Sequence, residues 1–328
     1  MRSIPVALAF ALVISLTPCA FAQTAPLSNI AEFAPIDEVL LGCNDTYLVM
    51  DAYREIIGAL KGSGLKVSII CSSSYVANEL RYEYYYAGVD LTNVRFYLSP
   101  TDSIWMRDYG PNFAKDAAGK VVIVDTNYYY DRPNDDAFVK KYASFRAIPY
   151  TYTDIDMEGG NLMADGKGTI MTSNILYPRN PQYTKTTLGS LMKKTIGGTR
   201  WITSYPLLDE GTGHIDMYAK FVNSTSVLVA KFPSGHKNYS RLEANATSFA
   251  NAGYSVTRVP MADADIATHV NSQICNERVL VPTYKVATDT VALSSHTKFG
   301  YKAYGIDCRL LIDYGGAVHC ISYGVPKR

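Results

Sequence analysis

Short apolar runs alternate with stretches of helical periodicity along most of this chain. The runs at 38–43 (EVLLGC), 65–71 (LKVSIIC), 93–99 (NVRFYLS) and 120–125 (KVVIVD) are β-branched or apolar and end at turn residues, so they predict strands. Between the first two, 47–60 carries apolar residues at helical spacing and stops at Gly62-Ser63-Gly64, which predicts a helix. Asp135 and Asp136 open a second helical pattern over 135–145, and others fall at 183–194 and 240–252. In the second half, Asp165-Gly166 and Asn276-Glu277 each sit between apolar runs and predict hairpins, while GHIDMYAKFV and SVLVAKF read as a strand pair. No Pro/Ser-rich linker or low-complexity block interrupts the pattern, and no repeat is visible in the residues themselves. The expectation is one α/β domain over residues 23–328, with strands in short groups separated by helices.

Residues 1–22 do not share this pattern. Arg2 supplies a charge, 4–16 is almost continuously apolar, Pro18 breaks the run, and Ala20-Phe21-Ala22 offers small residues before Gln23. This is the pattern of a cleaved secretory leader, too short for a spanning helix, and it predicts a secreted or periplasmic protein cut after Ala22. The chain of 328 residues has a formal net charge of +1, and Arg2 is the leader's one formal charge, so the mature chain is formally neutral. Nothing here suggests a groove for nucleic acid or a polybasic membrane patch. Beyond the leader, no stretch is long and apolar enough to span a bilayer.

Of six cysteines, Cys19 lies in the leader; Cys43, Cys71, Cys275, Cys308 and Cys320 remain. An odd number leaves at least one thiol without an intramolecular disulfide partner, and one or two bridges are possible among the rest. Asn44, Asn223, Asn238 and Asn245 open glycosylation-type triplets.

Candidate chemistry concentrates in four segments. TDSIWMRDYGPNF (101–113) places Arg107-Asp108 between Trp105 and a Gly-Pro turn, and EGGNLMADGKG (158–168) has paired glycines that permit close backbone approach. In Gly213-His214-Ile215-Asp216-Met217, strand spacing would project His214 and Asp216 from one face, an arrangement suited to proton transfer. His319-Cys320 follows Gly315-Gly316, where an accessible thiol could sit on a loop. A zinc site does not fit the scattered histidines at 214, 236, 269, 296 and 319. The stretch 154–165 imitates a calcium loop, but Asp165 stands where such loops carry Glu. A papain-like protease would place its cysteine early and its histidine late, the reverse of His214 and Cys320. Two carboxylates, a histidine and a thiolate instead suit a planar guanidinium, which two acids clamp, a thiolate attacks and a histidine serves with protons.

WMRDYGP, GGNLMADG, GHIDMYAKF, NSQICNERVLVP and GGAVHC, in that order over 101–320, together resemble the bacterial peptidylarginine deiminase and agmatine deiminase family. The resemblance implies the pentein fold, an α/β propeller of five ββαβ-type modules in pseudo-fivefold arrangement around a central site. It also implies that Asp108 and Asp216 hold the guanidinium, His214 is the general acid/base, Asn271 shapes the site and Cys320 is the nucleophile. Trp105, Gly160 and Asn161 would line the substrate, and neither metal nor cofactor would be needed. The segment DRPNDDAF (131–138) resembles the secreted Porphyromonas-type enzymes, where arginines engage the carboxylate of a C-terminal arginine; here only Arg132 stands at a matching position. YPRNP (177–181) and the context of Glu158 look more like agmatine deiminases. Export and Arg132 together make an arginine-containing peptide or protein the expected substrate, with agmatine the alternative. A non-catalytic arginine-binding module is the further alternative, although a pure binder needs neither His214 nor Cys320. Arg107 is expected to be structural, orienting one of the two substrate-binding carboxylates rather than binding substrate, and Tyr82, Tyr84, Tyr85, Tyr86 and the run Tyr128–Tyr130 to be packing and surface aromatics.

Overall fold

The computed structural model describes residues 26–263 and 265–328; the leader-like segment lies outside them. Its strands form five small sheets, and each repeats one plan: an antiparallel pair, a helix, then a strand parallel to the second. The first module pairs Asn112–Lys115 with Val121–Asn127, crosses through helix Phe138–Arg146 and returns as Tyr150–Asp156. The second runs Met163–Ala164, Thr169–Ser173, helix Lys185–Met192 and Arg200–Ser204. The third runs Ala219–Asn223, Ser226–Lys231, helix Tyr239–Asn251 and Ser255–Pro260. The fourth runs Gln273–Cys275, Arg278–Thr283, helix Thr288–Thr297 and Lys302–Asp307.

The fifth module is assembled from both ends of the described chain. The last strand, Ser322–Pro326, pairs antiparallel with Ile36–Cys43, which crosses through helix Thr46–Leu60 to the parallel strand Lys66–Cys71. A further crossover through helix Ser74–Tyr86 adds Val94–Leu98 at the edge. This is the pentein arrangement of five ββαβ modules, with the fifth closing the ring.

Local chemistry explains the elements that place the site. Helix Thr46–Leu60 begins where the Asp45 side chain accepts the backbone N–H groups of Tyr47 and Leu48, satisfying donors that a helix start leaves free. It buries Val49, Ala52, Tyr53, Ile56, Ile57 and Leu60 on one face and ends before Gly62 and Gly64, both at positive φ. In the fourth module, the turn between Cys275 and Arg278 contains Asn276 at φ 58°, a conformation Asn tolerates better than most residues.

Two expected elements differ. His214 and Asp216 do not lie on a strand: Ile215–Met217 is a short 3-10 turn, and the strand starts only at Ala219. The positive φ of Gly213 (72°) redirects the chain just before it. Helices Ser74–Tyr86 and Thr288–Thr297 were not expected from the pattern; the second buries only Ala292, Ser295 and His296, too few apolar residues to show a periodic face. All five cysteines in the described residues are buried free thiols, with Cys43 directly opposite Cys71 on neighbouring strands. No described helix is long and apolar enough to cross a membrane.

Candidate active site

Each module leads into its first strand through a segment that carries a polar side chain. Asp108 precedes Asn112, Glu158 precedes Met163, His214 and Asp216 precede Ala219, Asn271 precedes Gln273, and Cys320 precedes Ser322. Equivalent points on five modules arranged around an axis converge at its centre, which brings residues far apart in sequence into contact.

Asn271 ties two of these segments together. Its Oδ1 accepts the backbone N–H of His319 at 2.9 Å, while Nδ2 lies 3.2 Å from Cys320 Sγ and 3.4 Å from the Asp216 carbonyl. The Arg107 N–H donates to the Cys320 carbonyl at 2.9 Å, joining the Asp108 segment to the thiol segment. Gly316 allows this approach: a Cβ there would lie 2.4 Å from the Trp105 ring and 3.0 Å from Cys320 Cβ. Cys320 is therefore enclosed, only 4 % exposed, and the expected accessible loop thiol is corrected by packing of Trp105 over the Gly316 turn.

His214 stands between two acids, its Nδ1 3.5 Å from Asp108 Oδ1 and its Nε2 3.6 Å from Glu158 Oε2. The expected His214–Asp216 pairing is not what forms, because the 3-10 turn replaces strand spacing; Asp216 Oδ2 instead lies 2.6 Å from His319 Nδ1 and 4.0 Å from Cys320 Sγ. Gly160 is the contact point between modules. Its N–H donates to the Asp108 carboxylate, and a Cβ would fall 2.5 Å from His214 Nδ1 and 2.6 Å from Asp108 Oδ1.

Asn161 Oδ1 accepts the Ser173 N–H at 2.7 Å and so fastens the 3-10 turn Gly159–Asn161 to its neighbouring strand. Arg132 is half-buried beside the Tyr128 hydroxyl (3.0 Å) and over the Tyr129 ring (5.2 Å to its centroid). Arg132 feels the charge of Asp135 and acts in turn on Asp102, while Tyr128 beside it feels the charges of both Asp108 and Arg132. Tyr128 and Tyr129 thus edge the site, whereas Tyr130 is a surface aromatic. Arg107 lies buried in structural contacts, its Nη1 paired with Glu32 at 3.1 Å and its Nη2 donating to Gln273 at 2.7 Å, so the carboxylate it meets directly is Glu32 rather than Asp108 or Asp216.

Burial pushes the Asp108 carboxyl up to about 6, with His214 opposing the shift and Asp216 adding to it. Burial also pushes the Cys320 thiol well above its ordinary value, and Asp216 and Asp108 push it further, against hydrogen bonds from Ala317 and Asn271. Six buried atoms of these residues lack a hydrogen-bond partner among the described residues: Asp108 Oδ1, Asp216 Oδ1, Glu158 Oε2, His214 Nε2, Asn161 Nδ2 and Arg107 Nε. Such orphans are costly unless a ligand or water pairs with them. Three are carboxylate oxygens and can only accept from a ligand rich in donors, as a guanidinium is. Within the calcium-like stretch, Glu158 pairs with Arg179 and Asp154 accepts from the Tyr183 hydroxyl at 2.6 Å, so these acids are engaged by protein groups.

Glu158, Glu32 and the partners of His319 are what the sequence did not reveal. Glu158 stood only as a neighbour of the paired glycines, and Glu32 reaches His319 across 287 residues of chain.

Comparison with known proteins agrees with this geometry. A Legionella pneumophila protein provisionally named agmatine deiminase is 24% identical over 263 residues, covering 72% of this chain and 76% of its own. The structure of an agmatine deiminase of Enterococcus faecalis superposes with a TM-score of 0.84 at 19% identity, covering 94% of this chain and 99% of that one. That of a provisionally named arginine deiminase from Porphyromonas gingivalis gives 0.78 at 23% identity, covering 92% and 98%. At these identities the two structures speak for the fold. The pattern for Porphyromonas-type peptidyl-arginine deiminases matches residues 38–326, and the chain belongs to this family of hydrolases acting on amidino carbon–nitrogen bonds.

Proposed function

We propose that this chain deiminates a small guanidino amine of the agmatine type, using Cys320 as nucleophile, Asp108 and Asp216 as the guanidinium clamp and His214 as acid and base. The observation that carries this reading is a cluster of carboxylate oxygens without a hydrogen-bond partner among the described residues: Asp108 Oδ1 and Glu158 Oε2 on either side of His214, and Asp216 Oδ1 on the carboxylate whose other oxygen lies 4.0 Å from the buried Cys320 thiol. Guanidinium supplies donors to all three and the positive charge that the acids favour. Its charge also opposes the field of Asp216 and Asp108 at Cys320, so that binding of the substrate favours the thiolate that these carboxylates disfavour.

The thiolate sulfur bonds to the guanidinium carbon, and one carbon–nitrogen bond breaks as His214 gives a proton to the departing nitrogen. Water attacks the resulting amidino thioether and returns one proton to His214; the carbon–sulfur bond breaks and the thiolate is restored. The second water proton leaves with ammonia as ammonium, and the substrate carries a neutral ureido group. Asn271, 3.2 Å from Sγ, donates to the sulfur when it is negative.

The sequence placed peptidylarginine first. Agmatine is favoured here because the matched relatives carry that name and because the groups that would react are enclosed: Cys320 is 4 %, His214 2 % and Asp216 0 % exposed. A slender free molecule reaches such a site more readily than a side chain on a folded protein. One observation favours a second reading. Arg132, held by the Tyr128 hydroxyl and only partly offset by the charge of Asp135, would attract a carboxylate and repel an amine, which suits the C-terminal arginine of an exported peptide.

The purified chain, incubated without added metal, is assayed for ammonia and ureido product from agmatine, free arginine and peptides ending in arginine. Turnover of agmatine in preference to the others supports the main reading; preference for peptides establishes the second. Cys320→Ala is expected to abolish turnover while keeping guanidine binding. Retained ammonia release in that variant would remove Cys320 from its role.

A further inference from the structure

Behind the clamp lies a second group of charges that the chemistry above does not use. His319 is fully buried, with Nδ1 2.6 Å from Asp216 Oδ2 and Nε2 2.5 Å from Glu32 Oε1. Glu32 comes from the segment between strand Ser28–Asn29 and strand Ile36–Cys43. Its Oε2 also meets Lys220 Nζ at 2.5 Å, and its Oε1 meets Arg107 Nη1 at 3.1 Å. Burial opposes ionisation of Glu32, but His319, Lys220 and Arg107 outweigh it and hold the carboxyl well below its ordinary range.

We propose that His319, anchored by Glu32, is a positioning residue that fixes the Asp216 carboxylate with one oxygen presented to the guanidinium. This rests on the guanidine-deiminase reading. The terminal torsion of an aspartate is broad and nearly two-fold, so an unrestrained carboxylate samples many planes. Here Oδ2 is held by the His319 ring while Oδ1 has no partner among the described residues. The ring is in turn held at its far nitrogen, so it cannot rotate without losing Glu32.

Glu32 has a second effect of the same sign. Lys220 and Arg107 are both buried cations close enough to act on the site: Lys220 feels the charge of Asp216, and Asp108 that of Arg107. By pairing with both, Glu32 keeps them from pairing with the clamp, where they would replace the substrate's positive charge.

Calorimetric binding of agmatine, free arginine and the bare guanidinium ion to the Cys320→Ala protein tests this without turnover. His319→Phe keeps a ring of similar breadth but donates nothing, and is expected to weaken binding by about 10–100-fold, the range for loss of a group that orients a direct ligand. His319→Asn, which can still donate towards Asp216, is expected to recover much of that loss. In an Asp216→Asn background, His319→Phe is expected to have little further effect, because the residue through which it acts has lost its charge. A merely structural His319 would give additive losses in that cycle and no rescue by Asn, and either result overturns the proposal. Should His319→Phe fail to fold, Glu32→Gln enters the same cycle, with the same coupling expected. A parent protein that binds none of the three probes removes the guanidine reading itself, whereas a parent that binds, with variants unchanged, removes only His319.

Discussion

Gly160→Ala isolates the geometry of the site from its chemistry, since it changes no charge and removes no donor. Gly160 does not adopt a positive φ, so alanine fits its backbone and the consequence lies in what the new methyl meets. It would lie 2.5 Å from His214 Nδ1 and 2.6 Å from Asp108 Oδ1, against an ordinary contact of 3.4 Å or more, so the side chains must yield by about 0.8–0.9 Å. Both are side chains rather than backbone, and they can move; overpacking of this kind costs about 1–3 kcal/mol, a loss of several degrees in Tm for a chain of this size. A displacement near 1 Å at reacting groups costs on the order of 100-fold in rate. The expected result is therefore a folded protein, modestly less stable, with kcat/KM for agmatine reduced about 100-fold. Gly58 serves as a control: it lies within helix Thr46–Leu60 with nothing within 4 Å of a built Cβ, so Gly58→Ala should stabilise by about 0.5–1 kcal/mol and leave kcat/KM alone. Full activity in a folded Gly160→Ala protein would refute the placement of His214 and Asp108 around that glycine.

Asp108→Asn should abolish turnover and yet stabilise the protein. The folded carboxyl is raised by burial to about 6 from an ordinary 3.8, so the folded state holds this proton more tightly than the unfolded state does. The stability associated with that proton is complete below about pH 4 and is lost as pH rises through about 6, at a cost on the order of 2–3 kcal/mol. Asparagine avoids that cost, so Tm should rise at pH 8 relative to the parent but not at pH 4; equal shifts at both would refute the assignment. Arg132→Ala should reduce kcat/KM for substrates bearing a free α-carboxylate more than for agmatine, measured on paired acid and amide peptides, and equal effects would remove Arg132 from substrate recognition.

The sequence revealed the parts of the site that lie within short motifs and concealed those that depend on the ring. Asp108, Asp216, His214, Asn271 and Cys320 each sit in a recognisable local pattern, and the structure gathers all five. Strand periodicity misled at His214 and Asp216, because a 3-10 turn after Gly213 changes the direction of each side chain without changing the spacing. Glu158 has no local signature, since what brings it beside His214 is its place just before the first strand of the second module. The module plan itself recurs at intervals of about 50 residues, seen at 108, 158, 214, 271 and 320, but what recurs is backbone position, with a different side chain each time. Closure of the fifth module by Ser322–Pro326 against Ile36–Cys43 joins distant stretches whose individual strands were legible but whose pairing was not. Helix Ser74–Tyr86 was hidden by its tyrosines, because Tyr84 is buried while Tyr75, Tyr82, Tyr85 and Tyr86 are exposed.

The same electrostatics that select the substrate should expel the product. A guanidinium entering between Asp108 and Asp216 relieves two buried acids, whereas the ureido group left after deimination is neutral. Its oxygen accepts rather than donates, and it meets a site in which three carboxylate oxygens lack a hydrogen-bond partner among the described residues. A hydrogen bond to a charged partner contributes about 1.5–3 kcal/mol against about 1 kcal/mol for a neutral pair, so replacing two of the former by weaker or absent contacts costs roughly 3 kcal/mol or about 100-fold in affinity. Binding of agmatine and of its carbamoyl product to the Cys320→Ala protein should therefore differ by about that factor at pH 8. The gap should narrow as pH falls through about 6, where Asp108 takes up its proton and the clamp loses one charge. A product that binds as tightly as agmatine at pH 8 would show that shape rather than charge governs recognition, and the two carboxylates would then need another purpose.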